Sequence, residues 1–325
     1  MEKVSILRAE GSASRSIKKS LENVKWRDKV KRGDDVFVKV NICIDRHVRG
    51  ANVKPEVIGK FVSILKSRAG KVVVGESDAS STSGDLAFKA SGIKEAVKRN
   101  GGECINISKD RLAVINDDKL LALNGKKLSK TMLDSDVICS NALIKTHEIT
   151  QMTCTIKNLF GTLPYKRKIL FHPKLSQVLS DLVYIYRPKL TLVDGLTPME
   201  GSGPAQGDIV NDLSLIIAGE NCVSTDASVA RIMKFNPRRI EHINLCYKRR
   251  LGDIEKISYT DLKPKHVERP FKRPGVDLVL KTEWILLKNP VSRTVFFRTP
   301  LFDVLRIMAN KYRDAARRRK GLAFE

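Results

Sequence analysis

Short apolar runs alternate with stretches of helical apolar spacing through residues 1–235. This alternation predicts an α/β fold: βαβ units that build a mostly parallel sheet with helices on both faces. Val4-Ser5-Ile6-Leu7 reads as a first strand and residues 14–25 as the helix after it. Val36 to Val40 forms the next strand and runs into Asn41, and Pro55 opens a helix over residues 55–68. There Val57, Ile58, Phe61, Val62 and Leu65 recur at helical spacing, and proline suits the first helical turn. Val72-Val73-Val74 is a third strand, followed by the small polar loop Gly75 to Gly84 and a helix over residues 85–99. Such a loop either offers N–H groups and hydroxyls to a ligand or is an ordinary turn.

Cys104 to Ile107 and Leu112 to Ile115 read as further strands, with Asn124-Gly125 as the turn of a small hairpin. Val137-Ile138-Cys139 is a short strand that leads into a polar segment, and Leu175 to Tyr186 is a helix stopped by Pro188. Leu190 to Val193 then delivers Asp194-Gly195 and a glycine-rich loop from Met199 to Asp208. Leu213 to Ala218 is another strand, and Thr225-Asp226 opens a helix over residues 226–234. From Pro264 the character changes. Residues 264–325 hold fifteen Lys/Arg against six Asp/Glu, a net charge of +9. Leu301, Leu305, Met308 and Tyr312 fall on one helical face, and Arg317 to Lys320 form a basic cluster. The expected division is an α/β core over residues 1–262 and a basic helical extension over 263–325.

With 325 residues, 42% of them hydrophobic, the chain can bury a large core. Lys+Arg outnumber Asp+Glu by 60 to 36, giving +24, a field that attracts acidic ligands, nucleic acid or an anionic membrane surface. Lysine enrichment is also a property of proteins from hot environments. No apolar run approaches the ~18 residues of a membrane span, and Met1 to Gly11 lack the apolar stretch of a secretion signal. The six cysteines contain no CxxC pair, which argues against an iron–sulfur cluster or a four-cysteine zinc site. Scattered cysteines fit a reducing, cytoplasmic setting.

The candidate chemistry gathers after the strands, where open α/β sheets bind ligands. Lys39 and Asn41 end one strand; the segment from Lys145 to Gly161 holds Lys145, Thr146, His147, Lys157 and Asn158. Lysine and threonine donors favour an anion, and a histidine can move a proton near neutral pH. Lys39 and Lys145, set in apolar surroundings, each need either an anionic ligand or a carboxylate such as Asp194, Glu200 or Asp226. His147 is the candidate acid or base, with a hydrogen-bonded loop histidine as the alternative. Asp194 and Glu200 are candidates to orient a ligand or hold a hard cation; turn chemistry would also explain them, and capping a helix start would explain Asp226. His147, Cys154 and His172 are weak candidates for a soft metal, because their spacing matches no common pattern. His172 is equally placed to cap the helix that follows it. Gly201-Ser202-Gly203-Pro204 is neither a Walker loop nor a dinucleotide fingerprint, but suits a tight anion nest or a sharp connection.

Taken together, Lys39-Val40-Asn41, the stretch from Lys145-Thr146-His147 to Lys157-Asn158-Leu159-Phe160-Gly161, His172, Val193-Asp194-Gly195, Met199 to Pro204 and Thr225-Asp226-Ala227 resemble domain-of-unknown-function family 362. The resemblance covers roughly residues 1–260. Many members are similar to ferredoxin fusions with four-cysteine motifs, which this chain lacks, so the resemblance does not imply electron transfer here. A more distant similarity to nickel-pincer lactate racemases implies a catalytic histidine and phosphate-gripping lysines; racemase chemistry does not transfer with fold likeness.

Three functions follow as expectations. The first is an enzyme that binds a phosphorylated or carboxylated small molecule through Lys39, Lys145 and Lys157, with His147 as acid or base and the cofactor left open. The second is a nucleic-acid- or ribosome-associated protein held by its basic surface; only 6% of residues are aromatic, which limits base stacking. The third is attachment to an anionic membrane surface by the basic carboxy-terminal helix, with Phe296, Phe297 and Phe302 as apolar contacts. That helix must dock its stripe on the core, on a twin subunit in a homo-oligomer or on a bilayer.

Overall fold

The computed structural model describes residues 1–275 apart from 10, 46, 47, 80, 81 and 206, together with scattered positions from 282 to 311. Strand β1 (Glu2–Arg8) leads through α1 (Ala13–Asn23) and the single turn α2 (Trp26–Lys29) to β2 (Asp35–Val40). Helix α3 (Pro55–Lys66) returns the chain to β3 (Lys71–Glu76), and α4 (Gly84–Ala90) with α5 (Ile93–Arg99) to β4 (Glu103–Asn106). The expected single helix over 85–99 is divided because Gly92 adopts a left-handed φ of 69°. A small antiparallel pair, β5 (Leu112–Ile115) and β6 (Lys126–Ser129), and the turn α6 (Lys130–Leu133) precede β7 (Val137–His147).

Strand β8 (Gln151–Thr153) folds back on the end of β7, and α7 (Thr155–Asn158) and α8 (Leu175–Tyr186) follow. Then come β9 (Leu190–Glu200), β10 (Asp208–Ile209) and β11 (Leu215–Gly219). Helices α9 (Cys222–Ile232) and α10 (Glu241–Lys248) lead to β12 (Ile257–Asp261).

The main sheet runs β12-β1-β11-β9-β7-β2-β3-β4. Five of these seven neighbouring pairs are parallel, and β11 opposes both its neighbours. The mostly parallel α/β sheet read from the alternation is therefore what forms. Alternate residues of each strand feed opposite faces. Val36, Val38 and Val40 of β2 join one buried cluster with α1, α3 and α5, while Phe37 joins the other with α8, α9 and α10. Both faces are thus covered, as a parallel sheet requires.

Strand order carries the functional consequence. From β2 the chain moves outward to β3 and β4, then crosses back to place β7 on the other flank of β2. The β2/β7 boundary is a topological switch point, and the carboxyl ends of these parallel strands diverge into a crevice there.

Residues 264–275 return to the core: Val267 and Phe271 are buried, and the Arg269 and Phe271 N–H groups donate to the Ile232 and Met233 carbonyls. Phe297 and Phe302 are buried beside Ile169 and Leu287, turned away from any outer surface. Leu301, Leu305, Tyr312, Phe296 and Arg317 to Lys320 lie outside the described residues, and Met308 is exposed. No helix among the described residues is long and apolar enough to cross a membrane.

Candidate functional site

Polar side chains converge on the switch point, around a cavity of about 300 Å³. Just beyond β2 lies Asn41, β3 contributes Glu76, and β7 contributes Lys145 and His147; Lys39 of β2 is off the lining, tied to Glu76. The strand expected to stop near Cys139 continues for eleven residues through His147. It does so because β8 pairs with its end, Lys145 facing Thr153 and His147 facing Gln151. Strand alternation then sends Lys145 and His147 toward the cavity. Thr146 points the other way and donates to the Gly201 carbonyl at 2.9 Å, so its hydroxyl anchors a loop.

Three lysines line the space and a fourth, Lys39, lies buried beneath it, each with a different partner. Lys39, fully buried, donates to Glu76 at 2.6 Å and to the Asn158 side-chain oxygen at 3.1 Å. Burial pulls its ammonium below the usual lysine value, and Glu76 opposes that shift. Gly161 makes room for the pair: a Cβ there would lie 2.3 Å from Glu76 Oε1 and 2.8 Å from Lys39 Nζ. Lys145, also fully buried, donates to the Ala51 carbonyl at 2.7 Å and has no carboxylate partner among the described residues. Burial lowers its value too.

Lys157, on α7, is half-buried with its Nζ 4.5 Å from the Phe160 ring centroid and no hydrogen-bond partner among the described residues. Burial lowers it to about 8, helped by Lys168, Lys145 and Lys39. Lys168 donates to the Ser77 hydroxyl and is likewise lowered by burial to about 8.

His147 accepts the Ile149 N–H on Nδ1 at 3.1 Å, which leaves the neutral ring its proton on Nε2. Burial, then the charges of Lys157 and His172, holds its value well below the ordinary histidine range. At neutral pH it is a neutral N–H donor on the cavity wall. His172 lies 5.7 Å from Phe160, ring to ring, within a 3₁₀ turn rather than as a cap of α8. Asn158 ties the floor together, donating to the Lys39 carbonyl at 2.8 Å and the Ser140 hydroxyl at 3.0 Å. Asn41 Oδ1 and Thr153 Oγ1, both on the lining, are buried without a hydrogen-bond partner among the described residues.

Other sequence candidates lie elsewhere. Asp194 accepts the N–H groups of Lys54 at 3.1 Å and Leu196 at 3.0 Å and so fastens the start of α3. Burial raises its carboxyl. Glu200 accepts the Lys272 N–H at 3.0 Å and lies 3.4 Å from Arg269. Neither lines the cavity. Asp226 sits inside α9 rather than at its start, with Asn221 as the cap. Its carboxylate accepts Thr155 N at 2.8 Å and Ile156 N at 3.0 Å and thereby caps α7 from another helix. Cys154 is fully buried off the lining, with burial raising its thiol well above the usual value. No cluster of three or more His, Cys, Asp or Glu suited to a metal occurs among the described residues.

The site residues missed in the sequence are Glu76, Ser77 and Lys168. Glu76 and Ser77 lay in a loop read for its small residues, and Lys168 stood apart from any strand end. A larger cleft of about 710 Å³ adjoins the cavity and shares Glu148, Ile149 and His172 with it.

Residues 36–231 match the family described as Domain of unknown function (DUF362), and the chain belongs to that family. The chain is similar to the thylakoid-associated protein sll1697 of Synechocystis sp. (strain ATCC 27184 / PCC 6803 / Kazusa), with 27% identity over 262 residues. That alignment takes in 77% of this chain and 79% of the relative. A solved structure of the lactate racemase apoprotein from Thermoanaerobacterium thermosaccharolyticum is similar over 76% of this chain and 56% of its own, at 12% identity and a TM-score of 0.44. The chain thus spans little more than half the length of that racemase.

Proposed function

We propose that this DUF362 chain is an enzyme that binds a phosphorylated or carboxylated small molecule in the cavity at the β2/β7 switch point. The observation that carries the reading is the charge on the lining. Lys39 is neutralised by Glu76, while Lys145, Lys157 and Lys168 have no carboxylate partner among the described residues. Buried ammonium groups without counter-ions are costly, and an anionic ligand supplies the missing charge. Lys145, Lys157 and Lys168 grip the anion, and Asn41 and Thr153 offer it further polar contacts. His147 donates its Nε2 proton as a hydrogen bond to an oxygen of the ligand, and stabilises charge developing there. Lys39 and Asn158 shape the floor without touching the ligand.

The test is calorimetric titration of the full chain with inorganic phosphate and with pyruvate. Binding of either is expected, and Lys157→Met or Lys168→Met should weaken it by about tenfold or more, equivalent to about 1.4 kcal/mol. Unchanged affinity in both variants, or no binding of either probe, overturns the reading.

A second reading, attachment to a membrane surface, draws on a different region. Ten large apolar side chains are exposed among the described residues, and five of them, Ile285, Val291, Val295, Val304 and Met308, fall in the basic carboxy-terminal stretch. A relative named for its association with thylakoids fits this arrangement. Co-sedimentation with anionic vesicles should fall in a salt-dependent way when residues 313–325 are deleted. Equal sedimentation of the deleted and full chains at low salt would refute it.

A further inference from the structure

The three lysines that line the cavity, and Lys39 beneath it, differ in one respect that anion binding alone does not require. Lys39, Lys145 and Lys168 each donate a hydrogen bond to a protein oxygen, whereas Lys157 Nζ has none among the described residues and lies over the face of Phe160. It is half-buried on α7, whose start is pinned by Asp226 of α9, so the amine is fixed in position yet open to the cavity.

We propose that Lys157 is a nucleophilic amine that forms an imine with a small carbonyl compound bearing a carboxylate or phosphate. This rests on the anion-binding reading above, with Lys145 and Lys168 holding the anionic end while the carbonyl carbon meets Lys157.

The step balances without a redox partner. The neutral amine lone pair attacks the carbonyl carbon, a C–N bond forms, and the carbonyl π pair moves to oxygen. Two protons pass from nitrogen to that oxygen through solvent, the C–O bond breaks, and one water leaves a C=N bond.

The surroundings favour the reactive form of the amine. Facing Lys157 are Lys39 from β2, Lys145 and His147 from β7 and Lys168 from the 3₁₀ turn, with Cys43 beyond β2; the carboxylates on the lining are Glu76, engaged by Lys39, and Glu148 at the rim. Burial and the lysine charges hold Lys157 at about 8, so near pH 7.5 roughly a quarter of it is free amine, against about one part in a thousand for an ordinary lysine. Desolvation beside other cations is an established way to activate a lysine.

The test uses the full-length protein with pyruvate and sodium cyanoborohydride, followed by peptide mass mapping. The expected result is a carboxyethyl adduct on Lys157 at least about tenfold ahead of any surface lysine. Inorganic phosphate should protect it, and Lys157→Arg should remove it without changing the circular dichroism spectrum. Labelling spread over lysines according to exposure, or none at Lys157, overturns the proposal; this outcome needs no variant to fold. Phosphate binding that persists without an adduct overturns the imine alone. Loss of both phosphate binding and adduct overturns the anion-binding reading with it.

Discussion

Glu76→Gln separates the structural role of Lys39 from ligand binding. The substitution keeps the shape of the side chain and removes its charge, leaving the Lys39 ammonium, which has no exposed surface, without a counter-ion. Two estimates bound the cost. Breaking one partner of a buried ion pair costs about 3–5 kcal/mol. Alternatively Lys39 gives up its proton; moving a lysine from 10.5 to neutrality at pH 7 costs about 1.4 kcal/mol per unit, about 5 kcal/mol in all. For 325 residues an unfolding entropy near 2.1 cal/mol/K per residue gives about 0.7 kcal/mol/K, so the midpoint should fall by about 4–7 °C.

Thermal and urea unfolding of Glu76→Gln, Lys39→Met and the double variant form the assay. The double variant should recover much of the loss, since it removes the stranded charge as well as the pair. A Glu76→Gln midpoint within about 1 °C of the parent would refute the argument, because an uncompensated buried ammonium cannot be that cheap.

Gly161→Ala should destabilise by about 2 kcal/mol or more, because its methyl group would sit 2.3 Å from Glu76 Oε1 and 2.7 Å from Lys39 Cε. An unchanged urea midpoint would show that the ion pair shifts freely. Phosphate affinity should follow lysine protonation. Lys157 and Lys168 lie near 8, so the stabilisation that phosphate gives is present below that pH and is lost as pH rises through it. Thermal shifts measured with phosphate from pH 7 to 9.5 check this, and a shift that stays constant would count against both lysines as ligands.

The sheet was legible because its signal is local. Apolar runs separated by helical spacing identify parallel strands whatever their order, and the α3 and α8 boundaries fell within two residues of those expected. The strand that carries Lys145 and His147 was cut short in the sequence reading because lysine, threonine and histidine look like loop residues. Only pairing with β8 makes them strand, and that pairing is set by the turn between them. The carboxylates misled for a related reason. Asp194 and Glu200 lie within β9, which runs past the strand expected to end at Val193, and Lys54, Arg269 and Lys272 meet them at separations no local pattern encodes. Glu76 was missed because its tie to Lys39 depends on β2 and β3 being neighbours, a fact of strand order.

What distinguishes this cavity from an ordinary surface cluster of lysines is the sum of its charges. Of the lining carboxylates, Glu76 is committed to Lys39, and Glu148 stands half-buried where the two clefts meet. Lys145, Lys157 and Lys168 therefore share a space of about 300 Å³ with a carbonyl, an aromatic face and a hydroxyl as their partners. None of those cancels a positive charge, and burial lowers all three lysine values, with Lys168 and Lys145 adding to the shift at Lys157. A singly charged ligand would leave most of that charge in place. A dianion, such as a phosphate ester or a dicarboxylate, would relieve two charges at once and draw the lysine values back up. On the proposed anion-binding reading, the lining would select for ligand charge before ligand shape.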